Sequence, residues 1–308
     1  MADHETQVIE ALRRAPGFSD LGVPDAITRL GGLTNLVFRV EAGARSVVVR
    51  LPGEGTEEYI DRSIEAHNAK AAARAGVSPE VVLAEPKTGV LITETVPGIV
   101  TMTPDHFSVR AGAPARAGRA FARLHCSGET FEYRFELFKM IEDYLGVLST
   151  KDATLPEGYH DVVAAAAPIN EVLAAADLPL APCHCDPLCE NFLDDGETMW
   201  IVDWEYSGMN DPLWDLGDLS VEAGMNAEQD AEMMEAYFGR APTSAETGRM
   251  VIYKAMCDLL WTLWGLIQHA NGNPAEDFWA YATGRFDRCK ALMNSPGFNG
   301  HIDAVRAG

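Results

Sequence analysis

The sequence predicts an α+β fold in two lobes. A small antiparallel-sheet lobe with one helix is expected over residues 1–95, and a larger, mainly helical lobe over residues 96–308. Three observations carry this. Short β-rich runs separated by turn signals crowd the first hundred residues, whereas most of the remaining chain repeats its apolar residues with helical period. The change comes at the Pro97-Gly98 break. A chain of 308 residues, 47% of them hydrophobic, is long enough to bury a substantial core, as one large domain or as two lobes.

Taken in order, residues 1–28 read as a short helix and a linker. LGGLTN (30–35) precedes two β-rich segments, VFRVEAG (37–43) and RSVVVRLP (45–52), with a hairpin signal at Glu41-Ala42-Gly43-Ala44. An alanine-rich helical pattern runs from Glu57 to Ala75 and is stopped by Gly76. EVVLAEP (80–86) and GVLITETVPG (89–98) read as two more strands turning through Lys87-Thr88-Gly89. Beyond the break, 111–128, 133–148 and 161–177 are amphipathic runs. Residues 191–205 form a β interlude joined through Asp195-Gly196, and helical period returns at 226–239, 246–270 and 275–293. No repeat, low-complexity tract or long flexible linker interrupts the chain.

Charge narrows the function. Asp plus Glu number 46 against 24 Lys plus Arg, and the net charge of −22 repels phosphate backbones and anionic headgroups. Nucleic-acid and membrane-surface partners are therefore not expected; a cationic small molecule suits the field, as does simple solubility. The opening MADHETQVIEALRR is charged from the start and has no apolar core of a signal peptide. The longest uncharged run, 259–275, reads as too short and too polar at its end to span a bilayer. Six cysteines, several crowded together, do not make a secreted disulfide framework, so a cytoplasmic protein, monomer or homodimer, is expected.

The chemistry concentrates in CHCDPLCENF (183–192). Phosphoryl transfer from ATP needs a carboxylate to orient the attacking hydroxyl and accept its proton. It also needs an amide oxygen and a second carboxylate to hold Mg²⁺, and a cation on the phosphates. Asp186, then Asn191 five residues on, then Asp203 after one β-hairpin, supply these in order. A zinc site is the competing reading of the same stretch. Alternation along an extended segment points Cys183 and Cys185 to one side and His184 to the other, and no CxxC is present. The cysteines read as small packed hydrophobes and His184 as structural. Asp195 and Asp211 read as turn and cap residues.

The segment CHCDPLCENFLDD…MWIVDWEYSGMNDPLWDLGDL resembles the catalytic segment of the choline/ethanolamine kinases. These belong to the aminoglycoside phosphotransferase-like superfamily, with its bilobal protein kinase-like fold. LGGLTN, VVRLPGEGTEEYIDRSIE (48–65) and LLWTLWGLIQ (259–268) are similar to the bacterial choline kinase branch, and the likeness spans roughly residues 30–290. The resemblance implies an ATP- and Mg²⁺-dependent kinase with Asp186 as base and Asn191 and Asp203 as metal ligands. It places Arg50 on the phosphates with Glu65 as its ion-pair partner, and Thr34 and Asn35 near the phosphates, although LGGLTN does not match GxGxxG. It puts adenine against backbone groups around Glu94 and Val96, and makes Asp215 the prop of the catalytic loop.

Trp261 and Trp264, three apart, share one helix face, and Tyr253 lies eight before Trp261. The resemblance makes them walls of a pocket for a quaternary ammonium, with Trp204, Glu205 and Trp214 as further candidates beside Asp186. A methylated cation cannot donate hydrogen bonds and is held by aromatic faces and diffuse negative charge. Plain core packing is the other reading of such a stripe. The expected substrate is a small cationic alcohol, choline first. Ethanolamine, thiamine, an aminoglycoside or a non-catalytic kinase-like binding role stay open.

Overall fold

The computed structural model describes residues 2–20, 22–32, 35–53, 60–175 and 178–308. Strand alternation builds the first layer: Phe38, Val40, Val47, Val49 and Ile92 fall on one face and are buried. They lie on β2 (Leu36–Ala42), β3 (Arg45–Leu51) and β5 (Val90–Glu94) of a five-stranded antiparallel sheet with order β1-β2-β3-β5-β4. Helix α1 (Ala2–Arg14) covers that face with Val8, Ala11 and Leu12.

Strand β1 (Ala26–Arg29) pairs with β2 where the sequence reads as a linker. It is an edge strand with three of four residues exposed, so it carries no apolar alternation to read. Strand β4 (Val81–Glu85) closes the other edge, and Gly89 makes the turn into β5 at φ 69°. Helix α2 (Arg62–Arg74) starts from Asp61, whose carboxylate accepts the N–H groups of Ser63 and Ile64. The expected start at Glu57 lies outside the described residues.

The larger region is mostly helical. It runs β6 (Val100–Thr101), α3 (Pro104–Val109), α4 (Ala113–His125), α5 (Leu137–Thr150), α6 (Tyr159–Ala175), β7 (Ala181–Cys183), β8 (Phe192–Asp194), β9 (Met199–Ile201), β10 (Gly208–Asn210), α7 (Leu213–Glu222), α8 (Ala227–Phe238), α9 (Ser244–Ala270), α10 (Phe278–Met293) and α11 (Phe298–Ala307). The β8–β9 hairpin turns at Asp195-Gly196 as expected and gains β6 as a third strand; β7 pairs with β10. These added strands are two or three residues long, below the length at which period 2 shows.

Helix α9 is the axis of this region, packed by α5, α7, α10 and α11. At 27 residues helix α9 as a whole is long and apolar enough to cross a membrane, whereas the expectation concerned only the uncharged run 259–275. Its placement points the other way, since 83% of its apolar window is buried within the protein. Its charges sit there too, with partners: Arg249 on Asp211, Lys254 on Asp230, and Asp258 between Arg285 and Arg288. All six cysteines are free thiols.

Candidate active site

The catalytic loop leaves β7, passes His184 to Leu188, makes one 3-10 turn over Cys189–Asn191 and enters β8. Cys185 has φ 68° and Asp203 φ 70°, left-handed conformations that side chains avoid and that cost of order 1–3 kcal/mol each. Hydrogen bonds fix the loop in that shape. Asp215, fully buried on α7, accepts the His184 N–H at 2.7 Å and the Cys185 N–H at 2.8 Å. Trp214 Nε1 donates to the Cys185 carbonyl at 3.0 Å, and Asn191 Nδ2 to the Asp186 carbonyl at 3.2 Å. His184 Nε2 donates to the Val202 carbonyl at 2.9 Å while Nδ1 accepts the Asp186 N–H at 3.3 Å. Burial lowers the pKa of that imidazole, consistent with a neutral, structural ring.

Asp186 heads this frame. Burial and the nearby Glu222 carboxylate push its pKa up to about 7, against the pull of Arg285. Asp203 is pushed well above the carboxylate range by burial and by Glu205, with Arg50 opposing. Glu65, Asp203 and Glu205 place carboxylate oxygens within 4.8 Å of one another, a donor set of hard oxygens that suits a divalent cation. The Asn191 amide nitrogen ties the loop, donating to the Asp186 carbonyl.

Arg50 sits at the end of β3, buried, with Nη1 on Glu65, on Glu205 at 3.1 Å and on Asp203 at 3.4 Å. Burial works against its charge and is outweighed by those carboxylates, so its pKa is raised. The expected Arg50–Glu65 pair is present. Arg62 stands beside it, unanticipated, donating to Glu65 at 2.8 Å and to Glu205. The i, i+3 spacing of Arg62 and Glu65 in IDRSIE was the available signal.

Asn35 donates to Glu205 Oε1 at 2.8 Å and accepts the Gly53 N–H at 3.1 Å. Gly32 permits a close approach to Asn35, because a Cβ there would lie 2.6 Å from the Asn35 carbonyl oxygen. Thr34 lies outside the described residues. Glu205, expected in the ammonium pocket, instead bridges Asn35, Arg50 and Arg62, because three donors of the small lobe converge on it. At the hinge, the Glu94 N–H donates to the Glu80 carbonyl at 2.9 Å and its carboxylate pairs with Arg45. The Glu94 N–H, expected to face adenine, is thus engaged within the sheet.

The aromatic residues divide. Trp204 is 1% exposed, donates to Ser78 Oγ at 3.1 Å and packs on Phe131 and His184. Trp214 lies between Phe135 and Tyr253, and the Tyr253 hydroxyl donates to Asp211 Oδ2 at 2.9 Å. These three are core, not pocket wall: no ring face is open and their polar atoms are engaged inside. Trp261 and Trp264 do converge, on Tyr206. Trp261 meets it edge-on at 5.5 Å, and Trp264 Nε1 donates to its hydroxyl at 3.0 Å. Trp264, half-buried, also meets Phe278 and Tyr281 edge-on.

Carboxylates missed in the sequence complete this corner. Trp261 Nε1 donates to Asp218 Oδ2 at 3.0 Å, while Asp218 Oδ1 is buried without a partner among the described residues. Burial and Glu222 hold the Asp218 carboxyl well above its ordinary pKa, with Arg285 opposing and Asp186 adding to the rise. Arg285 pairs with Glu222 and Asp258 and lies 4.6 Å over the Tyr281 ring.

The cysteines pack. Cys183 and Cys185 direct their thiols to the carbonyls of Asn210 and Cys183, and burial raises both pKa values, so they stay protonated. Among the described residues, Cys183 does lie with His125 and Asp215 in a group of three ligand atoms, but two of those atoms bond to each other. Asp195 accepts the Glu197 and Thr198 N–H groups of its turn, and Asp211 accepts the Leu213 N–H at the start of α7.

The sequence pattern of the phosphotransferase enzyme family, APH, matches residues 26–247. The fold superimposes on a crystal structure of a choline/ethanolamine kinase family protein from Mesorhizobium loti with TM-score 0.89 and 60% identity, covering 98% of this chain and 99% of that one. It superimposes on choline kinase LicA from Streptococcus pneumoniae with TM-score 0.78 and 25% identity, covering 95% of this chain and all of that one. Ethanolamine kinase 2 of Mus musculus is 27% identical over 287 residues, 83% of this chain and 73% of its own length.

Proposed function

The chain belongs to the phosphotransferase enzyme family, in its choline/ethanolamine kinase branch, and from that membership we propose that the alcohol it phosphorylates is choline. It is an ATP- and Mg²⁺-dependent small-molecule kinase. The choline reading is carried by one observation, the half-buried Trp264 ring bonded to Tyr206, in a corner that the buried Trp261 ties to Asp218, with Glu222 nearby. Aromatic faces with diffuse negative charge hold a cation that has no N–H to donate.

In this reading Asp186 accepts the hydroxyl proton as the substrate oxygen attacks the γ-phosphorus. The new O–P bond forms as the bond to the β-phosphate oxygen breaks, and ADP leaves. A carboxyl poised at about 7 suits a base that works near neutrality. Asp203, with Asn191 and the neighbouring Glu205, would hold the metal, which when bound neutralises charge on the phosphate oxygens. Arg50 and Arg62 are the cations placed to receive phosphate oxygens; Glu65 orients both. Asn35 and Thr34 are assigned to the phosphate side, and Glu94 and Val96 to adenine.

A second reading, ethanolamine, is favoured by Asp218 Oδ1, a buried acceptor that a primary ammonium could satisfy and the methylated ammonium of choline could not. Purified protein with Mg·ATP and, separately, choline, ethanolamine, thiamine and an aminoglycoside separates these. Choline should give the largest kcat/KM for ADP release. A larger value for ethanolamine would replace the choline assignment, and ADP release with none of the four would remove both.

A further inference from the structure

We infer that His125 and Tyr237 are positioning residues for the catalytic base, tying helix α8 through α4 to the loop that carries Asp186. The inference rests on Asp186 being that base. Three side chains and two backbone amides form one continuous chain. The Tyr237 hydroxyl lies 3.1 Å from His125 Nδ1, and His125 Nε2 lies 3.1 Å from Asp215 Oδ2. The same Asp215 oxygen accepts the His184 N–H at 2.7 Å, and its other oxygen accepts the Cys185 N–H at 2.8 Å.

Donor chemistry sets the direction. Both Asp215 oxygens already accept backbone N–H groups, so the carboxylate is the acceptor and the His125 proton that meets it sits on Nε2. Nδ1 then has only a lone pair, and the Tyr237 O–H is the donor that meets it. Burial raises the Tyr237 pKa, which keeps that phenol protonated. The ring is locked from both sides, stacked on Phe121 at 5.6 Å and 11° and met by Tyr237 at 65°. The His125 and Asp215 side chains are both fully buried, so no water shares the bond's environment from outside.

The backbone is built for this contact. A Cβ on Gly118 of α4 would lie 2.2 Å from the Met233 carbonyl oxygen and 3.2 Å from the Tyr237 nitrogen. Only glycine lets α8 approach so closely, and that approach brings the Tyr237 hydroxyl over His125. At the other end of the chain stands Cys185 in its left-handed conformation, one residue before Asp186. A carboxylate bonded only to the two loop amides can pivot about them; the imidazole fixes its third direction. Phosphoryl transfer depends on placement, and an error of about 1 Å can lower a rate on the order of a hundredfold.

The test compares His125→Leu, His125→Gln and Tyr237→Phe, with Asp186→Asn alongside, measuring kcat, both KM values and the melting temperature. His125→Leu should lower kcat roughly ten- to a hundredfold with KM for ATP and choline unchanged. His125→Gln, whose amide N–H can reach the Asp215 oxygen as Nε2–H does, should recover most of that loss. Tyr237→Phe should show a smaller fall in kcat alone. Unchanged kcat in a folded His125→Leu overturns the inference, as does His125→Gln failing to exceed it. If His125→Leu does not fold, the other two decide: a kcat equal to the parent in Tyr237→Phe overturns it, and a selective kcat loss supports it. Full activity of Asp186→Asn would instead remove the base assignment itself, a result the His125 variants cannot mimic.

Discussion

Replacing Trp264 and Trp261 one at a time should separate pocket from core. Trp264 is half-buried and its polar contact is a single bond to the Tyr206 hydroxyl, so its loss removes an aromatic face with limited damage behind it. A desolvated cation–aromatic contact is worth about 2 kcal/mol, which predicts a fall of roughly thirtyfold in choline kcat/KM for Trp264→Ala. Trp261 is 3% exposed and its Nε1 holds the only partnered oxygen of Asp218. Trp261→Ala therefore opens a core cavity, about 3–5 kcal/mol, and strands a second acceptor for roughly 1–3 kcal/mol more. The assay is kcat/KM for choline and ethanolamine, Mg·nucleotide titration and thermal melting on both variants and on Trp264→Phe. Trp264→Ala should discriminate against choline with a modest melting shift, Trp264→Phe should retain much of the activity, and Trp261→Ala should melt early and lose both amines. A Trp264→Ala that melts as early as Trp261→Ala, with both amines reduced in parallel, would refute the pocket.

Four further outcomes are expected. Asp186→Ala should abolish turnover while Mg·ATP still binds, whereas Asp203→Ala should also weaken nucleotide binding; equal, unimpaired titrations would refute that division. Arg62→Ala should raise KM for ATP and leave KM for choline unchanged, because Arg62 meets Glu65 and Glu205 on the phosphate side. Gly118→Ala, with backbone in the way of its Cβ, should destabilise by about 1–3 kcal/mol or more in chemical denaturation. Asp194 is opposed by burial, but Arg116 and Arg110 hold its pKa below the usual carboxylate value. The folded state then binds its proton less readily than the unfolded, so its contribution is full above the ordinary value near about 4 and is lost as pH falls through the folded one. Asp194→Asn should cost about 3 kcal/mol at neutral pH, and the melting difference from the parent should shrink below pH about 4.

Residues that the chain fixes locally were legible in the sequence. Asp186, Asn191 and Asp203 are joined by one hairpin, so their order in sequence is their order in space, and Arg50 with Glu65 follows from a strand end facing the next helix. The proposed aromatic wall was not fixed that way. Nearly every residue of α9 from Gly248 to Gln268 is buried, so helical spacing shows which residues share a face and not which face is open. Helix α7 was illegible for a related reason: Leu213 through Ser220 are all buried, acids included, and such a helix has no polar side to give it a period. Strand β1 was hidden by the reverse case, an edge with three of its four residues outside.

That buried helix explains where part of the acidity goes. Asp215, Asp218 and Glu222 recur at intervals of three and four, which places these three carboxylates on one face of the helix, and Asp211 stands just before its start. Like charges at such spacing repel by a few tenths of a kcal/mol per pair even in water, and more where water is excluded. The face stands because each carboxylate meets a different donor. Asp211 receives Arg249 and Tyr253, Asp215 the loop amides and His125, Asp218 the Trp261 indole, and Glu222 Arg285. Along one helix the same residue type thus anchors α9, shapes the turn before Asp186, and lays negative charge beneath the aromatic corner. Some of the net charge of −22 is therefore held inside the protein, which is the field that the proposed cationic substrate would meet.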